Sequence, residues 1–454
     1  MATNMSQHFT MGRLLRFTLP SIGMMVFMSL YVMVDGFFVS NWCGATALAA
    51  VNFAYPIPAI LGSIGFMLGS GGNAIVASTL GAGQSKLANE RFSLLVFAAL
   101  FGGIAFAAVG VATLRPLLVA LGASGAMLED AVVYGFILIL SVPFTILQYL
   151  FQELMITAGK PDMALRITVA AGVTNIALDA ALIAGLGMGV AGAAIGTMAG
   201  EAVGALVPLA YFARKNTSHL RLVRAPLDWR TLGKACWNGS SEMVSNIAAS
   251  VVAVVYNIQL LAYLGEAGVA AYGVIMYAGF LFAAVFLGYC TGCAPLMSYN
   301  LGARNNAEMN SLFRKSLAVI SVCGVAMFVL TRLFVAPIAQ LFVGYDESLL
   351  ALTVHAALLY SFALLVMGFN VYGSSLFTSV GNGHVSALIS FVRTFVCEIG
   401  AVLLMPLVLG ADGIWLSVLV AEVAALVLTS ALTCYLKPYR LSAPKSKRAL
   451  QQSA

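Results

Sequence analysis

Long apolar runs alternate with short polar segments along the whole chain, and their length predicts the class of fold. The runs extend over about 20 to 30 residues, which lets an α-helix cross the hydrocarbon core of a bilayer. A membrane β-barrel would instead show alternating segments of about ten residues. We therefore expect an all-α polytopic membrane protein with twelve transmembrane helices. The predicted spans cover residues 14–40, 48–79, 92–114, 131–157, 163–185, 190–213, 235–263, 268–299, 315–335, 349–378, 385–409 and 412–435.

The last six spans repeat the first six at a constant spacing along the chain. The matching positions are Gly44 and Gly265, Leu80-Gly81 and Leu301-Gly302, Gly192 and Gly413, and Glu201 and Glu422. Six helices per repeat return the chain to its starting side, so the two copies are parallel and related by an axis along the membrane normal. Two lobes around a central cleft are expected, as in an alternating-access carrier. The predicted domains are an N-lobe at 1–213, a basic cytoplasmic linker at 214–234, a C-lobe at 235–436 and a basic cytoplasmic tail at 437–454.

Composition and charge support this class and orient the chain. The sequence is 61% hydrophobic and 9% charged, with a mean hydropathy of +0.97, whereas a soluble domain carries roughly a quarter charged residues. Of the 23 Lys and Arg residues, all but Arg115 and Arg332 fall in segments predicted on the inner side, with Arg393 assigned to an inner loop. The positive-inside rule then places both termini in the cytoplasm at the plasma (bacterial inner) membrane, and the net charge of +6 reflects topology rather than nucleic-acid binding.

Sequence motifs for catalysis or cofactor binding are missing. The seven Cys residues are scattered, and Cys290 and Cys293 form a single C-x-x-C inside an apolar helix, so metal or redox use is not expected. No H-E-x-x-H or G-x-S-x-G motif is present, which argues against a membrane enzyme. The first apolar run is too long for a cleavable signal peptide and contains Asp35. We expect neither an enzyme nor a bound cofactor.

Polar residues inside the apolar runs of the first half are the strongest functional signal. Asn175 and Asp179 lie four residues apart, so they share one face of a helix. Counting residues from the outer turns places Asp35, Asp179, Thr197 and Tyr134 at a similar depth in the outer half of the membrane. An ionisable side chain in hydrocarbon is costly and marks a functional site by default. Two carboxylates with Asn, Thr and Tyr oxygens could bind protons, or a small hard cation such as Na⁺ at Asp35 and Asp179.

The alternative is that these groups have only a structural role, in which they cap helices or form hydrogen bonds between them. The second half argues against it. Tyr256 occupies the position equivalent to Asp35, and Cys397 and Ala401 align with Asn175 and Asp179 after a one-residue slip. A structural requirement of the repeat would occur twice. Glu201 and Glu422 do occur twice, which favours a structural role for both.

Further polar residues are candidates for a substrate cleft. Glu242 opens the seventh helix, with Asn246 one turn later, and has no acidic counterpart in the first repeat. It either lines the inner cleft and attracts a cation or bonds between helices, and the sequence leaves both readings open. The remaining cleft candidates are Tyr256, Asn257 and Gln152, and Glu153 and Glu398 are weaker acidic candidates. A cleft rich in Met and Phe would accept many apolar shapes.

The segment LPSIGMMVFMSLYVMVDGFFVSNWCGATALAAVNFAYP, followed by N-x3-D and GLGMGVAGAAIGT in a chain of two six-helix repeats, resembles the multidrug and toxic compound extrusion (MATE) family. The resemblance covers nearly the whole chain and is strongest to the branch with its ion site in the N-terminal lobe. It implies that Asp35, Asn175, Asp179, Thr197 and Tyr134 form that site. For a later polar position of helix four, Gln148 and Gln152 both remain open.

The function that the resemblance implies is secondary antiport by alternating access. Organic cations, amphiphilic drugs or other toxic compounds would be exported in exchange for H⁺ or Na⁺, and the protein is expected to work as a monomer in the bilayer. The alternative is a flippase for lipid-linked precursors, but such proteins have extra helices and a basic cavity, whereas Lys and Arg are almost absent from the spans. A channel would not need carboxylates in only one of two lobes.

Overall fold

The computed structural model describes residues 5–43, 45–344 and 346–439, and within these ranges it is helical with no strand. The fourteen α-helices are α1 Met11–Phe38, α2 Ala45–Ala54, α3 Pro56–Gly81, α4 Ser85–Ala120, α5 Gly125–Thr157, α6 Pro161–Asp179, α7 Gly189–Ala213, α8 Trp229–Gly302, α9 Asn306–Val343, α10 Glu347–Tyr360, α11 Leu364–Ser379, α12 Gly383–Phe391, α13 Ile399–Leu409 and α14 Ala411–Leu436. Three π-helical segments (Val39–Cys43, Ala180–Gly185 and Val392–Glu398) and one 3₁₀ turn (Ser361–Ala363) adjoin them.

These helices form the twelve predicted crossings. By length and composition, 11 segments of the described chain could span a membrane, and α8 with its 74 residues counts once among them. The chain breaks inside α8 at Gly265, whose φ of 64° is a left-handed conformation that suits glycine. The rings of Tyr256 and Tyr272, on opposite sides of this break, stack with centroids 5.2 Å apart. A straight helix would hold them about 24 Å apart, so α8 consists of two antiparallel crossings.

Both chain halves meet where α3 packs against the two ends of α8. We name this side the linker face, because the connecting segment 214–228 leads into α8 and is bonded to the first turns of α4. The linker is tied to α4, where Arg221 N donates to Asn89 Oδ1 at 2.8 Å and Val223 N donates to Ser93 Oγ at 2.8 Å. The next helix starts at Trp229, inside the predicted linker 214–234, because Asp228 caps it by accepting from the backbone of Arg230. The lobe boundaries remain a prediction, and residues 440–454 of the tail lie outside the described residues.

Glycines bring the two halves into backbone contact toward the linker face. A Cβ on Gly71 would lie 1.9 Å from the carbonyl oxygen of Ala235, and one on Gly239 would lie 1.9 Å from that of Met67. Nearer the helix ends, a Cβ on Gly81 would lie 1.9 Å from Tyr299 O and one on Gly302 would lie 1.9 Å from Ser78 O. We name the four residues Gly71, Gly81, Gly239 and Gly302 the glycine seam. Small residues allow this close approach between membrane helices, so the seam joins the halves at this end.

One position contradicts the sequence analysis. Arg393, assigned above to an inner loop, lies in the π-helical segment Val392–Glu398, in the middle of the crossing Gly383–Leu409. Its guanidinium donates to Glu422 Oε1 from Nε at 2.9 Å and from Nη2 at 2.5 Å. A cation in the middle of a membrane helix is tolerated when such a partner neutralises it, and that partner is supplied by a different helix.

Candidate functional site

Four of the five predicted coupling residues line one cavity of about 160 Å³ in the first half of the chain. Asp35 reaches it from α1, Tyr134 from α5, Asn175 from α6 and Thr197 from α7. The fifth residue, Asp179, is fully buried one turn beyond Asn175. The structure therefore brings together the whole predicted set, although the residues come from four different helices.

The two aspartates form a pair with unused hydrogen-bonding capacity. Their carboxyl groups are near enough to each other to interact electrostatically. Asp35 Oδ1, both carboxyl oxygens of Asp179 and Asn175 Oδ1 are buried without a protein donor in the described structure. The backbone of α7 leaves room here only for glycine, because a Cβ on Gly196 would lie 2.3 Å from Asp179 Oδ1. Buried acceptors without donors are costly, so the geometry suits a proton or a small cation.

Departures from α-helical geometry adjoin both aspartates. Asp179 is the last residue of α6, and the π-helical segment Ala180–Gly185 follows it directly. The π-helical segment Val39–Cys43 begins one turn after Asp35. Single π turns occur preferentially at functional sites, where they change the direction of neighbouring side chains. The two π-helical segments therefore set the direction of the helix beside each aspartate.

Glu201 is a cavity residue that the sequence analysis did not include in the site. Its Oε2 accepts hydrogen bonds from Ser141 Oγ at 2.6 Å and from Thr145 Oγ1 at 2.7 Å, both on α5. Glu201 lies four residues after Thr197, so the helical spacing that paired Asn175 with Asp179 also points to it. The aromatic residues of the cavity that were likewise missed are Tyr31, Tyr55, Phe66 and Tyr149.

The repeat-related glutamates have different surroundings. Glu422 receives both hydrogen bonds of Arg393 on Oε1 and one from Asn370 Nδ2 on Oε2 at 2.7 Å. Glu201 has hydroxyl partners and faces a cavity. Duplication in the sequence therefore does not imply an equivalent environment: the structural interpretation fits Glu422, which is embedded in an ion pair, but leaves Glu201 unexplained.

A second cavity, of about 140 Å³, lies between the halves and contains two of the predicted cleft residues. Glu242 and Asn246 line it together with Glu153 from α5. Glu153 connects the halves, since Oε1 accepts from Thr291 Oγ1 of α8 at 3.2 Å and Oε2 accepts from Asn73 Nδ2 of α3 at 3.1 Å. Asn246 also lines the first cavity, so the two cavities are neighbours.

The other three cleft candidates lie elsewhere. Tyr256 is buried in the second half against Tyr272. Asn257 lies in an open groove near the Gly265 break of α8. Gln152 is buried within the first half, where its Nε2 lies 3.1 Å from Met28 Sδ. The structure does not gather these residues around one cleft, and their role in substrate binding remains a prediction.

The C-x-x-C pair lies within α8. Cys290 and Cys293 are free thiols, and Cys293 Sγ lies 3.5 Å from Ser316 Oγ. No group of three or more His, Cys, Asp and Glu side chains is arranged to hold a metal ion in the part of the chain that the structure describes.

The fold and the cavity define a multi-pass membrane protein with two six-helix halves and a buried pair of aspartates in the first half. A family model described as MatE matches residues 20–181 and 243–403, which together cover more than half of the chain. The chain belongs to the MatE family, which confirms the predicted resemblance. Members of this family are membrane transport proteins that act without an enzymatic step or a cofactor, on small molecules.

Relatives along nearly the full length agree with this membership. The chain is 24% identical over 441 residues to the multidrug export protein MepA of Staphylococcus saprophyticus, with 96% of this chain and 95% of the relative covered. It is 25% identical over 445 residues to MepA of Staphylococcus aureus, with the same shares covered.

Solved structures confirm the twelve-helix fold. An outward-facing multidrug resistance MATE family transporter of the MOP superfamily superposes with a TM-score of 0.87 at 22% identity, covering 92% of this chain and 96% of that one. A MOP superfamily transporter from Pyrococcus furiosus, whose binding pocket is described as having reverse polarity, gives a TM-score of 0.87 at 23% identity, covering 94% and 96%.

Proposed function

We propose that the protein is a secondary antiporter that exports organic cations and amphiphilic drugs or toxic compounds in exchange for H⁺ or Na⁺. The observation that carries the proposal is the Asp35–Asp179 pair, whose buried oxygens lack protein donors in the described structure and lie beside a cavity of the first half. A proton or Na⁺ would satisfy those oxygens, with Asn175, Thr197 and Tyr134 as neighbouring ligands. Two relatives of nearly equal length are named multidrug export proteins.

Transport would follow if two conformational states of the protein bind the drug and the coupling ion with different affinities. The halves are joined at the glycine seam, so the linker face is closed in this state. With the linker face in the cytoplasm, as the positive-inside rule indicates, this is a state closed to the cytoplasm. An ion bound at the aspartate pair would alter α1 beside its π-helical segment and favour release of the drug. Neither ligand has to touch the other, because coupling requires only that each binds the two states unequally.

A lipid flippase is the less favoured reading. No Lys or Arg lines either of the two carboxylate cavities in the described structure, and Arg393 is neutralised by Glu422. An anionic lipid headgroup would therefore meet carboxylates rather than free cations. As part of the antiporter proposal, we further propose that the protein acts as a monomer in the bacterial inner membrane.

The testing experiment measures ethidium uptake into everted vesicles under defined gradients, for wild type and Asp179→Asn. We expect uptake by the wild type to collapse with the gradient of the coupling ion and uptake by the variant to fall to background. Asp412→Asn is a matched control, because Asp412 is an exposed carboxylate of the other half. Full gradient-driven uptake by both Asp179→Asn and Asp35→Asn would refute the assignment of the site. Wild-type protein that is folded yet transports under neither gradient would favour the flippase.

A further inference from the structure

The first cavity has two ends along α5. Tyr134, a member of the predicted ion site, lines one of them. Glu201 accepts its hydrogen bonds from Ser141 and Thr145, which lie seven and eleven residues further along the same helix, or about 10 and 16 Å along its axis. One end is therefore the aspartate pair with Tyr134, and the other is Glu201. The proposed ion site occupies the first end and leaves the charge of Glu201 unassigned.

Glu201 is held in place without being neutralised. Its two hydroxyl partners, Ser141 and Thr145, both donate to Oε2. No Lys, Arg or His nitrogen lies within 4 Å of its carboxylate in the described structure. Its repeat partner Glu422, in contrast, has Arg393 as counter-ion. A carboxylate inside a membrane protein is costly when it has no protein counter-ion, so a cation that enters the cavity suits this position.

The surroundings of Glu201 are aromatic. Tyr31, Tyr55, Phe66 and Tyr149 line the same cavity, and the rings of Phe66 and Tyr149 stack with centroids 3.9 Å apart. Aromatic faces attract cations through their quadrupole, and cages of such rings recognise ammonium groups with several carbon substituents. A large organic cation loses its hydration more easily than Na⁺ does, so it gains from both the rings and the carboxylate.

We propose that Glu201 is the counter-ion of the transported organic cation, whereas the coupling ion binds at Asp35 and Asp179. This rests on the proposed antiport function and divides its cavity into a substrate end and an ion end. Drug and ion then do not compete for one carboxylate, and each affects the other through the conformation of the protein. Substrates with a permanent positive charge would depend on Glu201 more than substrates without one.

The test uses purified full-length protein in liposomes, with ethidium as the permanent cation. Glu201→Gln keeps an oxygen that can accept from Ser141 and Thr145 but removes the charge, so a purely structural role predicts unchanged transport. We expect instead that the KM and Kd for ethidium rise by about tenfold or more, the scale of a lost charge-assisted contact, with the maximal rate and its dependence on the ion gradient retained. Asp35→Asn should show the opposite pattern, a lost gradient dependence with ethidium binding within about threefold of wild type, the scale of a weak long-range effect.

Three further variants make the result decisive. Glu201→Asp retains the charge and should recover most of the ethidium affinity, so an affinity as low as that of Glu201→Gln would overturn the role of the charge. Thr145→Val removes one hydrogen bond and should affect ethidium less than Glu201→Gln does. Asp412→Asn removes an exposed carboxylate of the second half that does not line the cavity and should change nothing.

The failures of the two proposals are distinguishable. Unchanged ethidium affinity in Glu201→Gln, while the wild type shows gradient-driven transport, would overturn the counter-ion role and leave antiport intact. Lost gradient dependence with normal ethidium affinity in Glu201→Gln would also overturn it, because Glu201 would then belong to the ion end. Absence of both ethidium binding and transport in the wild type would refute the proposed function itself.

Discussion

The two halves of this protein share a fold and differ in what they do with buried charge. In the second half, the carboxylate of Glu422 is enclosed by Arg393 and Asn370. In the first half, the carboxylate of Glu201 at the same repeat position faces a cavity, and the Asp35–Asp179 pair has no acidic counterpart in the other repeat. The second half shows what a structural intramembrane carboxylate looks like. The difference supports the proposal that the first half carries the ion chemistry.

The largest effect on stability is expected from Arg393→Met. The change leaves Glu422 as a buried charge without a counter-ion, which costs about 3–5 kcal/mol when one partner of a buried pair is removed. The double variant Arg393→Met/Glu422→Leu should recover most of this loss, because it removes both charges. Thermal unfolding in detergent measures both. A double variant as unstable as the single one would contradict the assigned role of the pair.

The matching change in the first half should have the opposite consequence. Asp179→Asn removes a charge that has no protein donor, so we expect transport to be lost while the midpoint of thermal unfolding stays the same or rises. Transport and unfolding measured on the same preparation test this. A fall in stability comparable to that of Arg393→Met would mean that both halves use their acidic residues structurally.

A smaller effect is expected from a substitution in the glycine seam, where the two halves meet. Gly71→Leu places a side chain against the backbone of α8 and should separate the linker-face ends of the halves. The half-buried thiol of Cys236, on α8 near the glycine seam, should then react faster with a maleimide in a background that retains only this cysteine. Gly233→Ala is the control, since a Cβ there meets nothing within 4 Å. Equal labelling rates in the two variants would show that the seam does not close this face.

Exposed ion pairs should contribute less than any buried group. Arg115 Nη2 and Glu129 Oε1 lie 2.7 Å apart, but their side chains are 59% and 61% exposed. Arg115→Gln should lower the free energy of unfolding by about 1 kcal/mol or less, the usual value for surface pairs. Chemical denaturation with added salt tests this expectation, and a loss as large as that of Arg393→Met would contradict the contrast between exposed and buried charge.

The smallest effect on stability is expected from a substitution at the N-cap of a helix in the second half. Asp346 caps α10, and hydrogen bonds from the Ser348 hydroxyl and the backbone of Leu349 lower the pKa of its carboxyl. A group whose pKa is lower in the folded state stabilises the protein above its ordinary pKa and loses this effect as pH falls through the lowered value. Asp346→Asn can still cap the helix but does not titrate, so it should flatten the acid slope of the unfolding midpoint. An unchanged slope would exclude this contribution. Ser124, the N-cap of the corresponding helix α5, makes no such side-chain bond.

The membrane fold and the aspartate pair were predictable from the sequence because both depend on local composition. A run of apolar residues long enough to cross a bilayer is visible without knowing its neighbours. Asp35 and Asp179 stand out because charge in such a run is rare, and residue counting sets their depth along the helix. The repeat was readable because matching glycines and turns recur at a constant spacing.

Only the tertiary structure decided which side chains meet. Glu201 and Glu422 look alike in sequence, but α5 supplies hydroxyls to the first and the crossing Gly383–Leu409 supplies Arg393 to the second. Gly71 and Gly239 gain their role only when two helices cross at those points. The sequence by itself determined the helices, their number and the presence of buried charge. Their crossing determined whether each charge is neutralised or faces a cavity, because that depends on partners from distant parts of the chain.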